Sequence, residues 1–196
     1  GVNTIIYYAP TIYKMAGFED ASSAILATLG VGIVNVLFTI LSLFLIDRWG
    51  RKPLLFVGLT GMMISLVATG FVFHTPDLEF GRWIAVACVV VYIACFAISL
   101  GPIAWLMISE IFPLHIRGIG TSLAVGTVWL FNMLVAFTFP PLLEWLGESS
   151  TFWLYGSFCL LGLIFTHCIV PETKGCSLEK IEENLNAGKR ACELGV

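Results

Sequence analysis

Residues 21–46 have the sequence ASSAILATLGVGIVNVLFTILSLFLI, a run of 26 uncharged residues between Asp20 and Asp47. A transmembrane helix needs roughly 20 apolar residues to cross about 30 Å of hydrocarbon. This stretch is therefore long enough to span a membrane as a single helix. Four more uncharged runs of similar length follow it, over 53–76, 83–109, 118–143 and 149–171.

The composition of the whole 196-residue chain agrees with a membrane protein. Hydrophobic residues make up 58% of the chain and charged residues only 12%, against roughly 25% charged in an ordinary soluble domain. This excludes an ordinary soluble globule. The net charge is −3, and the lysines and arginines are scattered, so no basic surface for nucleic acid is expected.

The charged residues mark the loops, because charge is costly inside the hydrocarbon. Their spacing predicts six helices, over 1–15, 21–46, 53–74, 82–109, 118–141 and 151–170. The first is too short to span alone, so we expect a helix that lacks its first turns. The chain thus divides into a transmembrane bundle over 1–170 and a tail over 171–196. In the tail, Leu178, Ile181 and Leu185 share one face of a predicted short amphipathic helix.

The distribution of basic residues predicts the orientation, because loops rich in Lys and Arg stay in the cytoplasm. One set of loops, together with the tail, holds eight of the ten basic residues, and the opposite set holds only Lys14 and Arg82. The chain is therefore expected in an inner (cytoplasmic) or plasma membrane, with its C-terminus in the cytoplasm. The eight are Arg48, Arg51, Lys52, Arg117, Lys174, Lys180, Lys189 and Arg190.

Polar and helix-breaking residues within the spans are the candidates for function, because a polar side chain at depth needs a partner. They are Asn3, Tyr7, Tyr8, Asn35, Gly101, Pro102, Trp105, Trp129 and Asn132. Membrane transporters often build substrate sites near the bilayer midplane from a broken helix and nearby polar groups such as amides. An amide pair with an aromatic ring suits a sugar. Alternatively, the asparagines hold helices together and the tryptophans belong to interface belts, and the residues alone leave both readings open.

An enzyme is not indicated by any of these residues. The spans contain no carboxylate, no lysine and no nucleophile beside a base, and His167 has no partner in the sequence. The six cysteines lack the spacing of metal ligands, so we expect neither a metal nor a cofactor.

Four motifs in order resemble the C-terminal half of a sugar porter of the major facilitator superfamily. The four motifs are Gly1–Asn3 with Tyr7–Pro10, Asp47–Lys52, Gly101–Trp105 with Ser109–Pro113 and Arg117, and Pro171–Gly175. Their order and spacing match across essentially the whole chain. The resemblance is greatest to the bacterial galactose, arabinose and xylose proton symporters. Ala97 stands where the animal glucose transporters have a glutamate.

The resemblance implies helices 7 to 12 of a twelve-helix fold, working with an N-terminal six-helix half in the lipid bilayer. It implies transport of a monosaccharide by alternating access, coupled to protons. Every Asp and Glu here lies in a loop, at a helix end or in the tail. The proton carrier would therefore lie in the other half, where the relatives have an Asp in their first helix.

The resemblance also carries roles over to individual residues. The sugar would be bound by Asn3, Asn35, Gly101, Trp105, Trp129 and Asn132. The tyrosines Tyr7 and Tyr8 would close the outer side of the site, and Pro102 would belong to the gating segment.

Five charges at predicted helix ends form a separate group: Asp47, Arg51, Glu110, Arg117 and Glu172. We expect them to form ion pairs that keep the cytoplasmic gate shut when the site faces outward. Alternatively, they set only the topology, since exposed pairs contribute about 0–1 kcal/mol.

Two other functions stay open at the level of sequence, a non-transporting membrane sugar sensor and an inactive structural fragment. Sugar flux would separate transport from both. The sequence names no particular sugar, and it does not choose between symport and facilitated diffusion.

Overall fold

The structure is a computed structural model that describes residues 2–15, 21–75, 80–113, 115–176, 180, 183, 184 and 187. Within these ranges the chain forms seven α-helices. They are α1 (Val2–Met15), α2 (Ala21–Trp49), α3 (Arg51–His74), α4 (Gly81–Ile98), α5 (Leu100–Ile111), α6 (Arg117–Leu146) and α7 (Glu148–Cys168). The prediction of an all-α membrane bundle is confirmed for this part of the chain.

Five stretches of these helices are long and apolar enough to cross a membrane, with α4 and α5 together forming one of them. The helix α1 has 14 residues, which at 1.5 Å per residue gives about 21 Å. It is therefore shorter than the hydrocarbon core, as its charge spacing predicted.

The fourth predicted helix, 82–109, is not continuous. It breaks at Ser99, whose φ of −120° and ψ of −93° separate α4 from α5. The break lies two residues before Gly101, because Pro102 has no N–H to donate to the carbonyl of Ile98. The Ser99 hydroxyl donates to the carbonyl of Cys95 at 2.7 Å and satisfies another group at the end of α4.

The core is built around α3, which packs against α4 on one side and against α7 on the other. Small residues on α3 permit this close approach. A Cβ on Gly58 would overlap the side chain of Ser99 and lie 2.8 Å from the carbonyl oxygen of Cys95. One on Gly70 would overlap the indole of Trp153, which donates to the carbonyl of Val67 at 3.3 Å.

The outer faces of α2 and α6 are apolar and largely exposed, with Phe44 and Phe137 among the most exposed side chains. Burying apolar area stabilises by about 25 cal/mol per Å² removed from water, so such faces are unfavourable in water. They suit an integral membrane protein.

The beginning of the predicted tail returns to the bundle, where Pro171 and Thr173 are buried. Further along, the N–H of Ala187 donates to the carbonyl of Glu183 at 2.9 Å, as in a helical turn. The three apolar residues of the predicted amphipathic helix lie outside the described residues. The division of the chain at residue 170 stays a prediction.

Candidate substrate site and the charged end of the bundle

A hollow of about 380 Å³ opens where α1 faces α2. This α2 hollow is lined by Ile6, Thr28, Val31, Gly32, Asn35, Val36, Thr39 and Ile40. Its volume falls in the range of small-molecule sites, about 300–1,000 Å³. Most of the lining is apolar, and its polar groups all come from α2, which carries them on one side at helical spacing.

The amide of Asn35 is half-buried in this lining. Its Oδ1 accepts a hydrogen bond from the Thr39 hydroxyl at 3.3 Å. Within the described part of the chain, its nitrogen has no hydrogen-bond partner. The α2 hollow therefore offers N–H donors to whatever occupies it, and the sugar-binding role of Asn35 stays a prediction.

On α1, Ile6 lines this hollow, and the predicted site residues of the same helix differ in exposure. Asn3 is half-buried and lies one turn before Ile6, on the same side of the helix. Tyr7 is exposed. The Tyr8 hydroxyl donates to the carbonyl of Ala136 at 3.5 Å, and its ring centroid lies 5.0 Å from that of Phe139. Tyr8 thus joins α1 to α6.

The residues around the helix break lie outside the lining of the α2 hollow. A Cβ on Gly101 would lie 3.2 Å from the ring of Phe96, so the start of α5 packs closely against the end of α4. Pro102 is half-buried, and Trp105 has 48% of its surface exposed. The indole of Trp105 is therefore available to a ligand or to another protein surface.

The predicted residues of α6 are also outside the lining of the hollow. Trp129 is 54% exposed and Asn132 is half-buried. The structure thus brings Asn35 together with the Ile6 side of α1. The described residues leave Trp105 and Trp129 exposed and Asn132 partly exposed.

The charged end of the bundle is formed by the helix ends at 47–52 and 110–117 and by residues 171–174. Here Arg51 Nη2 lies 2.8 Å from Glu110 Oε1, and the two side chains are only 13% and 18% exposed. The other carboxylate oxygen of Glu110 accepts a hydrogen bond from the Thr173 hydroxyl at 2.6 Å. Both oxygens of Glu110 are thus satisfied by this chain itself.

Glu172 acts as a cap on α3, and among the described residues it forms no side-chain ion pair. Its carboxylate accepts the backbone N–H groups of Arg51 at 3.0 Å, Lys52 at 2.9 Å and Lys174 at 3.0 Å. The first two are N-terminal amides of α3, which have no partner within the helix. A negative charge at this end is also favoured by the helix dipole. Gly50 makes room, because its φ is +95° and a Cβ there would lie 2.6 Å from Glu172 Oε2.

Two lysines that were not predicted as site residues donate hydrogen bonds to carbonyls at the C-terminal ends of helices. Lys174 Nζ donates to the carbonyl of Arg48 at 2.7 Å, at the end of α2, and Lys52 Nζ donates to the carbonyl of His167 at 3.0 Å, at the end of α7. Cations are favoured at helix C-termini. The signal in the sequence was their position beside a helix end.

The remaining two predicted charges do not join this network. Arg117 Nε donates to the carbonyl of Phe112 at 3.2 Å. Asp47 is exposed, and among the described residues it makes no ion pair. Asp47 and Arg117 therefore carry charges that no opposite charge in the described part of the chain neutralises.

A bundle of apolar helices with a mostly apolar hollow, one open amide and a charged end is typical of a helical integral membrane protein. The chain belongs to the sugar (and other) transporter family, whose model matches residues 1–185. This confirms the resemblance seen in its motifs.

Two relatives and one solved structure illustrate the similarity. The galactose-proton symporter of Escherichia coli is 39% identical over 199 residues, covering 100% of this chain and 42% of the relative. The D-xylose transporter of Levilactobacillus brevis is 42% identical over 198 residues, covering 99% and 43%. The structure of the proton:xylose symporter XylE bound to 6-bromo-6-deoxy-D-glucose superposes with a TM-score of 0.83 and 38% identity, covering 93% of this chain and 39% of that one. The chain thus spans about two fifths of the length of these proteins.

Proposed function

We propose that the full-length protein carries a monosaccharide across the membrane by alternating access, and that this chain forms one six-helix wall of the path. The observation that carries the proposal is the Asn35 amide, whose nitrogen has no partner among the described residues and faces a hollow of suitable volume. A sugar is neutral and rich in oxygen acceptors, and its C–H face can pack against apolar side chains. The names of the relatives, which include galactose and xylose transporters, support the same substrate class.

The proposed site extends beyond the hollow. Asn3 and Asn35 would donate to sugar hydroxyls from α1 and α2. Gly101, Trp105, Trp129 and Asn132 would border the sugar from α5 and α6, and the exposed indoles of the two tryptophans support this role. Tyr7, Tyr8 and Pro102 would move when the path closes. Transporters often build their midplane sites from discontinuous helices, and the break between α4 and α5 is a discontinuity of this kind.

The charged end has two proposed tasks. Arg51, Glu110 and Glu172 hold the ends of α3, α5 and the segment after α7 together, because their ion pair and hydrogen bonds join these three parts of the chain. Asp47 and Arg117 would act at the gate, because their charges are left for an opposing surface. If the whole group only set the topology, neutralising Asp47 would leave the distribution between the two facing states unchanged.

The partners and the orientation are part of the same proposal. We propose that an N-terminal six-helix half covers the hollow, that lipid covers the outer faces of α2 and α6, and that the charged end and the C-terminus are cytoplasmic. The excess of lysine and arginine at this end supports the orientation.

Proton coupling is proposed to depend on the other half of the protein. The five uncharged runs contain no Asp or Glu that could titrate along the path. The relative from Escherichia coli is named a proton symporter, which supports coupling. Facilitated diffusion would be indicated by sugar uptake without accompanying proton uptake.

The experiment uses the full-length protein in proteoliposomes with radiolabelled D-xylose, D-galactose and L-arabinose. We expect saturable uptake of at least one sugar that the unlabelled sugar abolishes. Binding without uptake would indicate a sugar sensor instead, and neither binding nor uptake would indicate an inactive fragment. Residues 1–196 alone should insert without transporting, because alternating access needs two walls around the site.

A further inference from the structure

Thr39 makes an unusual hydrogen bond for a hydroxyl in this bundle. The hydroxyls of Thr69, Thr127 and Thr166 each donate at 2.8 Å to the backbone carbonyl one turn earlier in their own helix. Thr39 donates instead to the side-chain Oδ1 of Asn35, one turn earlier on α2. Both groups of this pair line the α2 hollow.

This bond decides which end of the Asn35 amide faces a ligand. An asparagine side chain has an oxygen that accepts and an NH₂ group that donates, and either can point at a ligand. Because the Thr39 hydroxyl donates to the oxygen, that oxygen is held along the helix. The NH₂ group then remains for the ligand.

We propose that Thr39 is a positioning residue that orients the Asn35 amide so that its NH₂ group donates to one sugar oxygen. This rests on the proposed function, since it concerns the same site. The α2 hollow then selects a hydrogen-bond acceptor at one position of the sugar ring. A fluoro sugar, whose fluorine at that position accepts a hydrogen bond without donating one, should therefore bind better than the deoxy sugar, which has only a hydrogen there.

The test measures binding and uptake by the full-length protein with the sugar it transports best and with the monodeoxy and monofluoro analogues of that sugar. In the wild type, one deoxy analogue should bind about 5- to 150-fold more weakly than the parent, and its fluoro counterpart should recover part of that loss. Thr39→Val keeps the shape of the side chain but removes the donor. We expect it to weaken parent binding about 2- to 12-fold, mainly in KM, and to reduce the difference between the fluoro and deoxy analogues.

Three controls separate positioning from a structural effect. Thr39→Ser keeps the hydroxyl and should restore the wild-type pattern. Thr127→Val removes a hydroxyl of the ordinary kind and should leave the pattern unchanged. In an Asn35→Ala background, Thr39→Val should have no further effect on binding, because Thr39 acts through Asn35.

The proposal is overturned if Thr39→Val keeps the wild-type discrimination between fluoro and deoxy analogues, or if it weakens binding equally with and without Asn35. Failure of the proposed function looks different, because the wild type would then take up none of the parent sugars. If the wild type also bound none of them, both proposals would be removed together.

Discussion

The carboxylates of Glu110 and Glu172 at the charged end and the Asn35 amide of the α2 hollow differ in how completely their hydrogen-bonding groups are satisfied. At the charged end, both oxygens of Glu110 and both oxygens of Glu172 accept hydrogen bonds from this chain. In the α2 hollow, the Asn35 amide has its oxygen satisfied and its nitrogen unpaired. Polar groups that satisfy one another stabilise the fold, whereas a group left open among apolar side chains is available to a ligand.

This difference makes the two regions separable by mutation. Removing the carboxylate of Glu110 or Glu172 should lower the free energy of unfolding, and changes in the α2 hollow should lower sugar affinity while the fold is kept. The predictions below concern the full-length protein purified in detergent, with the melting temperature as the measure of stability.

The largest effect on stability is expected from Glu172→Ala. The substitution removes the acceptor for three backbone N–H groups, two of them at the start of α3. Hydrogen bonds to a charged group contribute about 1.5–3 kcal/mol each, and the loss is partly offset by water, so we expect a destabilisation of about 2–3 kcal/mol. Glu144→Ala, at an exposed position in α6, is the matched control and should stay within about 0.5 kcal/mol. Equal melting temperatures for the two variants would mean that Glu172 is not a cap.

A smaller loss is expected from Gly50→Ala, which tests the same cap from the other side. The backbone at Gly50 has a φ of +95°, and a Cβ would lie 2.6 Å from Glu172 Oε2. We expect a destabilisation of about 1–2 kcal/mol from the left-handed backbone alone. The control is Gly30→Ala within α2, where a Cβ meets nothing within 4 Å. A helix favours Ala over Gly by about 1 kcal/mol, so the control should be neutral or stabilised. A rise in melting temperature for Gly50→Ala would contradict this account.

The smallest effect on stability is expected from Asp47→Asn. Asp47 is exposed and forms no ion pair with the described residues, so its neutralisation should change stability by less than about 0.5 kcal/mol. If Asp47 acts at the gate, the variant should nevertheless bind an inhibitor that acts only from outside more weakly than the wild type. A loss of stability as large as that of Glu172→Ala would place Asp47 among the structural contacts instead.

The spans were predictable from the sequence, because the cost of charge in hydrocarbon confines charged residues to helix ends. The break in the fourth helix was predictable from Pro102 only to within a few residues. Its actual position at Ser99 depends on a hydroxyl that bonds the carbonyl of Cys95 and on Gly58 of another helix. Contacts between two helices produce no periodic pattern in the sequence of either helix, so the sequence could not place the break more exactly.

At the charged end, the sequence indicated which residues lie at helix ends but not which of them meet. Arg51 and Glu110 are 59 residues apart, and their pairing depends on how α3 and α5 pack. Glu172 was predicted as a member of an ion-pair network, and the structure uses it to accept backbone N–H groups. Any carboxylate at a helix end is compatible with both roles, so the sequence alone cannot choose between them.

In the α2 hollow, Asn35 was predicted as a polar residue within a span, whereas Thr39 was not singled out. The available signal was its position four residues after Asn35, which puts both side chains on one face of α2. Hydroxyls are common in membrane helices, where most donate to their own backbone. Which of them donates to a side chain depends on rotamers, and these follow from the packing around them.

The most direct test of the account is the sugar affinity of Asn35→Ala, measured by titration of the full-length protein with its transported sugar. We expect binding to weaken by about 1–3 kcal/mol, because a sugar oxygen loses its donor in a partly buried site. The melting temperature without sugar should stay close to that of the wild type. An unchanged dissociation constant, or a loss of stability without sugar as large as that of Glu172→Ala, would contradict the claim that the α2 hollow binds sugar.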